Sequence, residues 1–302
     1  MASRPLTSET AVPPPAIAGD SPAHPARPHH RMSTRNRLLF FLVAWLIVLM
    51  PFLFWWSTWF GRHLSDTQIT EYLNDDKHPR HIQHALVQLG ERMARQDAGA
   101  TRCYPQLLRL ASHPVEEVRN TDAWVMGQDT SAGPFHETLL KMLQDSSPMV
   151  RGNAALSLVR FGDAAGRPQI VALLQPATIV APAAGRVIDM DKTGTSVRQG
   201  GLIAKVQNGE RTTEIRTPTS GRIRALSVTT GATVAVGAQV ASIDPGSEQV
   251  WEALRALYLV GQPDDLPAIR IYERNVPEIP DRLRQQALLT EKAIQARSSS
   301  RP

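Results

Sequence analysis

Val118-Arg119-Asn120-Thr121-Asp122-Ala123-Trp124-Val125-Met126-Gly127 returns 32 residues later as Val150-Arg151-Gly152-Asn153-Ala154-Ala155-Leu156-Ser157-Leu158-Val159. Each copy follows a short apolar stretch and a Pro-containing turn, YPQLLRLASHPVEEVR at 104–119 and FHETLLKMLQDSSPMVR at 135–151. A degenerate copy lies upstream at 69–93, ITEYLNDDKHPRHIQHALVQLGERM. Self-similarity at such a period marks stacked helix pairs. Each pair is too small to bury its own apolar face, and its neighbours cover the rest. Trp124, Met126, Leu156 and Leu158 are then expected in the core.

The repeated block resembles the HEAT-repeat family in its short Val-Arg-x-x-Ala-Ala-x-Ala-Leu-Gly form. The resemblance implies a right-handed solenoid that binds protein partners. Asp122 stands where the other copy has Ala154. A carboxylate on a packing face is costly unless paired. Asp122 is therefore expected to bond a neighbouring helix or an arginine such as Arg119 or Arg151. The three residues together form the candidate partner-binding set. His78, His81 and His84 follow at three-residue intervals, and Pro79 suggests a helix start that puts His81 and His84 on one face. A metal would need a further ligand from elsewhere, so the expectation for these histidines is a solvated or capping role, with no metal site.

From Ala177 the composition changes to Val, Ile, Thr and Gly in short alternating runs, which predicts strands. This segment also repeats. Pro182-Ala183-Ala184-Gly185-Arg186-Val187 matches Pro218-Thr219-Ser220-Gly221-Arg222-Ile223 at an offset of 36. Gly194-Thr195-Ser196-Val197-Arg198-Gln199-Gly200 matches Gly231-Ala232-Thr233-Val234-Ala235-Val236-Gly237 at an offset of 37. The halves join at Val206-Gln207-Asn208-Gly209-Glu210, and Asn-Gly is a favoured hairpin turn.

The duplicated half-motifs resemble the biotinyl/lipoyl domain family, the barrel-sandwich hybrid. That resemblance implies two small four-stranded sheets related by a pseudo-twofold axis. In carrier members a lysine at the central hairpin receives biotin or lipoate. Here Asn208, Gly209 and Glu210 occupy that place. Lys205 lies on the incoming strand and Lys192 in a loop of the first half, so no covalent cofactor is expected. Lysine-free relatives occur among HlyD-type membrane-fusion proteins, the periplasmic adaptors of export pumps, which this chain resembles in part. It has a tight turn where those adaptors carry a long helical hairpin, and helices where they add a further β-barrel.

After Pro245 the helical pattern returns. Gln169–Gln175 reads as the first half of a repeat and Glu248–Val260 as the second, so the β-module is expected to fill the turn of one helix pair. A further pair is expected at Asp265–Arg274 and Pro280–Arg297. Insertions in solenoids map to loops on one face.

Upstream, Leu38 to Phe60 run for 23 positions without a charge. At about 1.5 Å per residue this is roughly 35 Å, enough to cross a bilayer with some tilt. Trp55, Trp56 and Trp59 sit where an interfacial belt belongs, and no small-residue cleavage site follows. Arg31, Arg35 and Arg37 precede the run, and only Arg62 follows closely. The positive-inside rule keeps the N-terminus in the cytoplasm. The expected fold is thus multi-domain: a single transmembrane helix, then an all-α HEAT solenoid interrupted by a small all-β barrel-sandwich hybrid. Its parts are a disordered cytoplasmic tail at 1–37, the membrane helix at 38–60, HEAT-like helices at 64–176, the β-domain at 177–245, further helices at 247–297 and a disordered tail at 298–302. Met32 is an alternative start.

The 302 residues carry 33 Lys and Arg against 28 Asp and Glu, a net charge of +5 with no dense basic face on any domain, so nucleic acid is not an expected partner. One cysteine excludes an internal disulfide framework and any zinc site built on several thiolates. No phosphate-binding glycine loop and no recognisable nucleophile–base spacing appears. The expected function is a non-enzymatic scaffold or adaptor in the inner membrane, with periplasmic domains and protein partners that include envelope transport subunits. The alternatives are a ligand-sensing or envelope-binding protein, or a cofactor carrier. Residues 177–245 contain no Phe, Trp or Tyr for stacking on a sugar.

Overall fold

The structure, a computed structural model, describes residues 34–57 and 63–299. The chain divides into two units, 1–58 and 59–302. The described part of the first is helix α1 (Thr34–Ser57). It begins inside the tail expected at 1–37, because Thr34-Arg35-Asn36-Arg37 holds neither Gly nor Pro to prevent it. Among its described side chains, Leu38, Phe41, Ile47 and Val48 are exposed. Among the described residues no helix is long and apolar enough to cross a membrane. Residues 58–60 of the expected span, and 1–33 of the expected tail, lie outside the described residues.

The second unit opens with α2 (Asp66–Leu73), whose start is closed by a reciprocal cap. The Gln68 amide donates to Ser65 Oγ at 3.3 Å and the Ser65 amide to Gln68 Oε1 at 3.1 Å. There follow α3 (Pro79–Ala94), α4 (Tyr104–Leu110), α5 (Glu116–Met126), α6 (Gly133–Met142), α7 (Pro148–Arg160) and α8 (Arg167–Ala172). Helices α3, α4, α6, α7 and α8 each carry proline in the first two positions, where its missing N–H forfeits no helical bond. Prolines therefore punctuate the repeat. Helix α2 packs on α3, α4 on α5 and α6 on α7, while α3, α5 and α7 stack on one another.

Small residues set the close approach within that stack. A Cβ on Gly127 would lie 2.5 Å from Ser157 Oγ, and that hydroxyl donates to the Ala123 carbonyl at 2.8 Å. Gly90 does the same for Trp124, whose ring would lie 2.6 Å from an added Cβ. Met126 and Leu158 are fully buried and Leu156 is partly buried. Trp124 departs from the expected core: with its ring laid across Gly90 it remains 39% exposed.

Eight strands follow: β1 (Ala177–Val180), β2 (Gly185–Met190), β3 (Ser196–Val197), β4 (Leu202–Asn208), β5 (Arg211–Arg216), β6 (Gly221–Leu226), β7 (Thr233–Val234) and β8 (Gln239–Pro245). They form two antiparallel four-stranded sheets, ordered β1-β8-β6-β3 and β5-β4-β2-β7. Exchanging each strand for the one four places away converts one order into the other, which is the pseudo-twofold axis of the sequence duplication. Each half lends strands to both sheets, so neither half closes a core alone. Gly185 and Gly221 are symmetry mates that let β2 lie close against β4 and β6 against β8. An added Cβ would lie 2.4 Å from the Gln207 carbonyl oxygen at the first and 2.0 Å from that of Asp244 at the second. The core between the sheets is aliphatic, centred on Val187, Val206, Ile223 and Ile243.

The chain then returns to helices: α9 (Ser247–Val260), α10 (Leu266–Arg270) and α11 (Asp281–Ser299). Helix α8 packs on α9, and α9 on both α7 and α11. The β-module thus interrupts one helix pair without separating its members. Its two ends are neighbours, with Ala177 opposite Ile243 on β1 and β8. Helix α11 runs two residues into the tail expected at 298–302, where Ser298 and Ser299 donate to the carbonyls of Gln295 and Ala296.

Candidate functional site

The turns inside the helix pairs are joined by arginines. Arg119 is in the first turn of α5. Its Nε and Nη2 donate to Asp145 Oδ2 and Oδ1 at 2.7 and 2.9 Å, a two-point grip on the α6–α7 turn. Its Nη1 donates to the carbonyls of His113 and Pro114 at 2.7 and 3.2 Å. Arg151 repeats this last pattern one unit on, donating to Asp145 O and Ser146 O at 2.7 and 3.1 Å. The repeated Val-Arg therefore has a structural cause: the guanidinium satisfies carbonyls left over in the turn before its own helix. The Arg119 guanidinium also holds the Asp145 carboxyl below its usual range. Upstream, Arg109 donates to both oxygens of Asp76 in the α2–α3 turn, at 2.9 and 3.2 Å.

Asp122 does not join this network. It is wholly buried on α5, and neither oxygen has a hydrogen-bond partner among the described residues. Burial pushes its carboxyl well above the ordinary range, against the lowering effect of the Arg109 charge. The arginine partner expected from Arg119 or Arg151 is absent because both guanidiniums are held at the turns.

His78 and His81 meet at Asp75 in the α2–α3 turn, whereas His84 lies further along α3 beside Gln88, with Nε2 2.8 Å from the amide nitrogen. Burial lowers the pKa of His84.

The β-module is anchored where it leaves the helices. Thr219 Oγ1 donates to Gln249 Oε1 at 2.7 Å, and Gln249 Nε2 donates to the Leu173 carbonyl at 2.9 Å. One α9 side chain thus ties a β-turn to the end of α8. Tyr272 donates to the Leu174 carbonyl at 2.7 Å. Burial pushes this phenol up to about 12, so it stays a donor at neutral pH. At the far end β4 and β5 are joined by Gly209 and Glu210 alone, since Asn208 still pairs with Arg211. The turn centre thus lies one residue beyond the expected Asn-Gly. Gly209 takes φ +60° and Glu210 does not adopt positive φ, the pattern of a turn with glycine first.

Residues 177–243 match the family model described as biotin-requiring enzyme, and residues 137–165 match that of the HEAT repeat. The chain joins HEAT repeats to a biotinyl/lipoyl-type domain. No curated protein matches it. Among solved structures, it is similar to a single-chain, multi-domain long-chain acyl-CoA carboxylase, with 18% identity over 33% of this chain and a TM-score of 0.23. The chain spans 10% of that carboxylase. It is also similar to an engineered protein, with 12% identity over 76% of this chain and 78% of the other and a TM-score of 0.38.

In the lipoyl-type domain the exposed hairpin tip presents Asn208, Gly209 and Glu210, none of which can form the amide to a carrier's cofactor. Lys205 sits on β4 opposite Glu214, with its Nζ 4.0 Å from Asp189. Sequence reading missed Asp145, Asp76 and Asp75. The signal for each is an acid placed a few residues before a helix-opening proline.

Proposed function

We propose that this chain is a membrane-anchored, non-enzymatic scaffold that binds protein partners through its HEAT repeats and an unmodified lipoyl-type domain. One observation carries the reading. The domain occupies the turn of one helix pair, the class of turn that Arg119 and Arg151 organise in the pairs before it, so repeats and domain form one composite surface. Arg119 and Arg151 contribute by holding those turns, whereas Asp122 is wholly buried and offers no contact to a partner. Apolar side chains on the domain, Val180, Ile188 and the 68% exposed Val236, supply contacts. Stacked repeats offer extended surfaces suited to protein partners. The uncharged run at 38–60 and the exposed apolar side chains of α1 support an anchor in the inner membrane. Arg31, Arg35 and Arg37 support a cytoplasmic N-terminus and periplasmic domains. In its narrower form the proposal is an accessory subunit of an envelope transport or secretion complex.

The test is a crosslinked pulldown of the full chain beside a variant in which a short linker joins Gln175 to Gly246. The neighbouring ends of the domain allow that excision without pulling α8 from α9. Envelope transport subunits are expected with the full chain and depleted from the variant. Equal recovery from both would remove the domain from the surface, and no specific recovery from either would overturn the scaffold. Topology has its own readout: an enzyme reporter fused after Pro302 is expected to be active only when it folds outside the cytoplasm. Activity of a cytoplasm-specific reporter there would reverse the orientation.

A further inference from the structure

The α2–α3 turn brings three metal-donor side chains to one point. His78 Nδ1 lies 2.9 and 2.8 Å from Asp75 Oδ1 and Oδ2, and His81 Nδ1 lies 2.6 Å from Oδ2. One donor atom from each residue falls within 4.8 Å of the other two. The chain arranges this locally. Pro79 starts α3, the His78 amide closes the turn on the Asp75 carbonyl at 3.0 Å, and His81 comes round on the first helical turn. His78 holds the capping position yet makes no side-chain cap, a position where a side chain ordinarily serves a first-turn amide. Its ring faces Asp75 instead. The His81 ring is set by stacking on Tyr72, with centroids 4.6 Å apart and planes 14° from parallel. The adjacent Asp76 is occupied by Arg109 and does not join the group.

The geometry points to a binding site for one divalent transition-metal ion of borderline softness, zinc or a close relative, held by Asp75, His78 and His81. Two imidazoles and one carboxylate suit such an ion, whereas magnesium and calcium prefer oxygen alone. Metal bonds of about 2.0–2.2 Å in a tetrahedral array set donors roughly 3.3 Å apart. The two imidazole nitrogens, now 2.8 and 2.6 Å from Asp75 Oδ2, therefore need to draw back from it by roughly 0.5–0.7 Å. On binding, each ring carries its proton on Nε2 and offers the Nδ1 lone pair to the ion. The His78 side chain is 62% exposed, so the fourth position faces solvent and takes an exchangeable ligand.

The test uses the full chain in mild detergent, with the tail residues His24, His29 and His30 replaced by alanine to remove competing imidazoles. Titration with Co2+ is expected to develop visible absorption that saturates at one equivalent and is abolished by Zn2+. His78→Gln and Asp75→Ala are each expected to weaken binding at least tenfold. His136→Ala, which breaks a lone His–Asp pair with Asp163 elsewhere, is expected to leave it unchanged. The exposure of His78 keeps its variant folded, which circular dichroism checks. Absence of the Co2+ signal, or equal affinity in the His78→Gln protein, would overturn the site.

Discussion

Replacing Arg119 by alanine is expected to destabilise the helical repeats by about 3 kcal/mol, the lower end of what breaking a buried ion pair removes. The two side chains are 12% and 11% exposed, so some solvent compensates the loss. The change strips Asp145 of both charge-assisted bonds and leaves the His113 and Pro114 carbonyls without their donor. Isothermal urea unfolding of the full chain in mild detergent measures it. The pH dependence identifies the cause. A carboxyl held below its unfolded value contributes stability above that value and loses it as pH falls through the native one. The wild-type protein should therefore lose the Asp145 contribution on acidification below about pH 4, and the variant should lack that part of the slope. A loss under 1 kcal/mol, or an unchanged acid limb, would mean that the pair does not clamp the turns.

Replacing Asp122 by alanine should do the opposite and stabilise the protein. A buried polar group without a partner costs about 1–3 kcal/mol. The neighbouring repeat shows that alanine fits, since Ala154 is fully buried in the equivalent place. Here the sign is reversed. Burial raises the carboxyl above its unfolded value, so the folded state binds the extra proton and stability falls as pH rises between the two. The slope is about 1.4 kcal/mol per pH unit over that interval. The gain from alanine should hence be small near pH 4 and larger at pH 8. Urea midpoints of both proteins at the two pH values decide it, and a variant less stable at both would show that Asp122 does structural work.

The sequence displayed the large features because they are periodic. Val118–Gly127 and its copy announce helix pairs, since apolar residues must recur wherever a pair meets its neighbour. Pro182–Val187 and its copy announce the two-sheet domain, since Gly185 and Gly221 are each required where a paired strand comes too close for a Cβ. The insertion was legible because α8 and α9 each lacked a partner in the linear order. What stayed hidden depends on contacts between units. Arg119 lies 26 positions from Asp145, and nothing local distinguishes that partner from Asp122. Trp124 reads as core by type, but the glycine beneath its ring lies on another helix. The Asp75 cluster was half seen: its histidines stand out, while the carboxylate that gathers them precedes the helix and lies outside its period.

The adjacent ends of the β-domain also bear on how the chain assembles. Residues 173–246 separate α8 from its partner α9, and strand pairing within them is complete without the helices. Were that segment still unfolded, joining the two helices would mean closing a loop of about seventy residues. Once it has folded, the effective loop is about ten, and closure becomes easier by roughly 1.7 kcal/mol. The domain therefore serves as a folding staple: formed first, it delivers the two halves of a helix pair to each other.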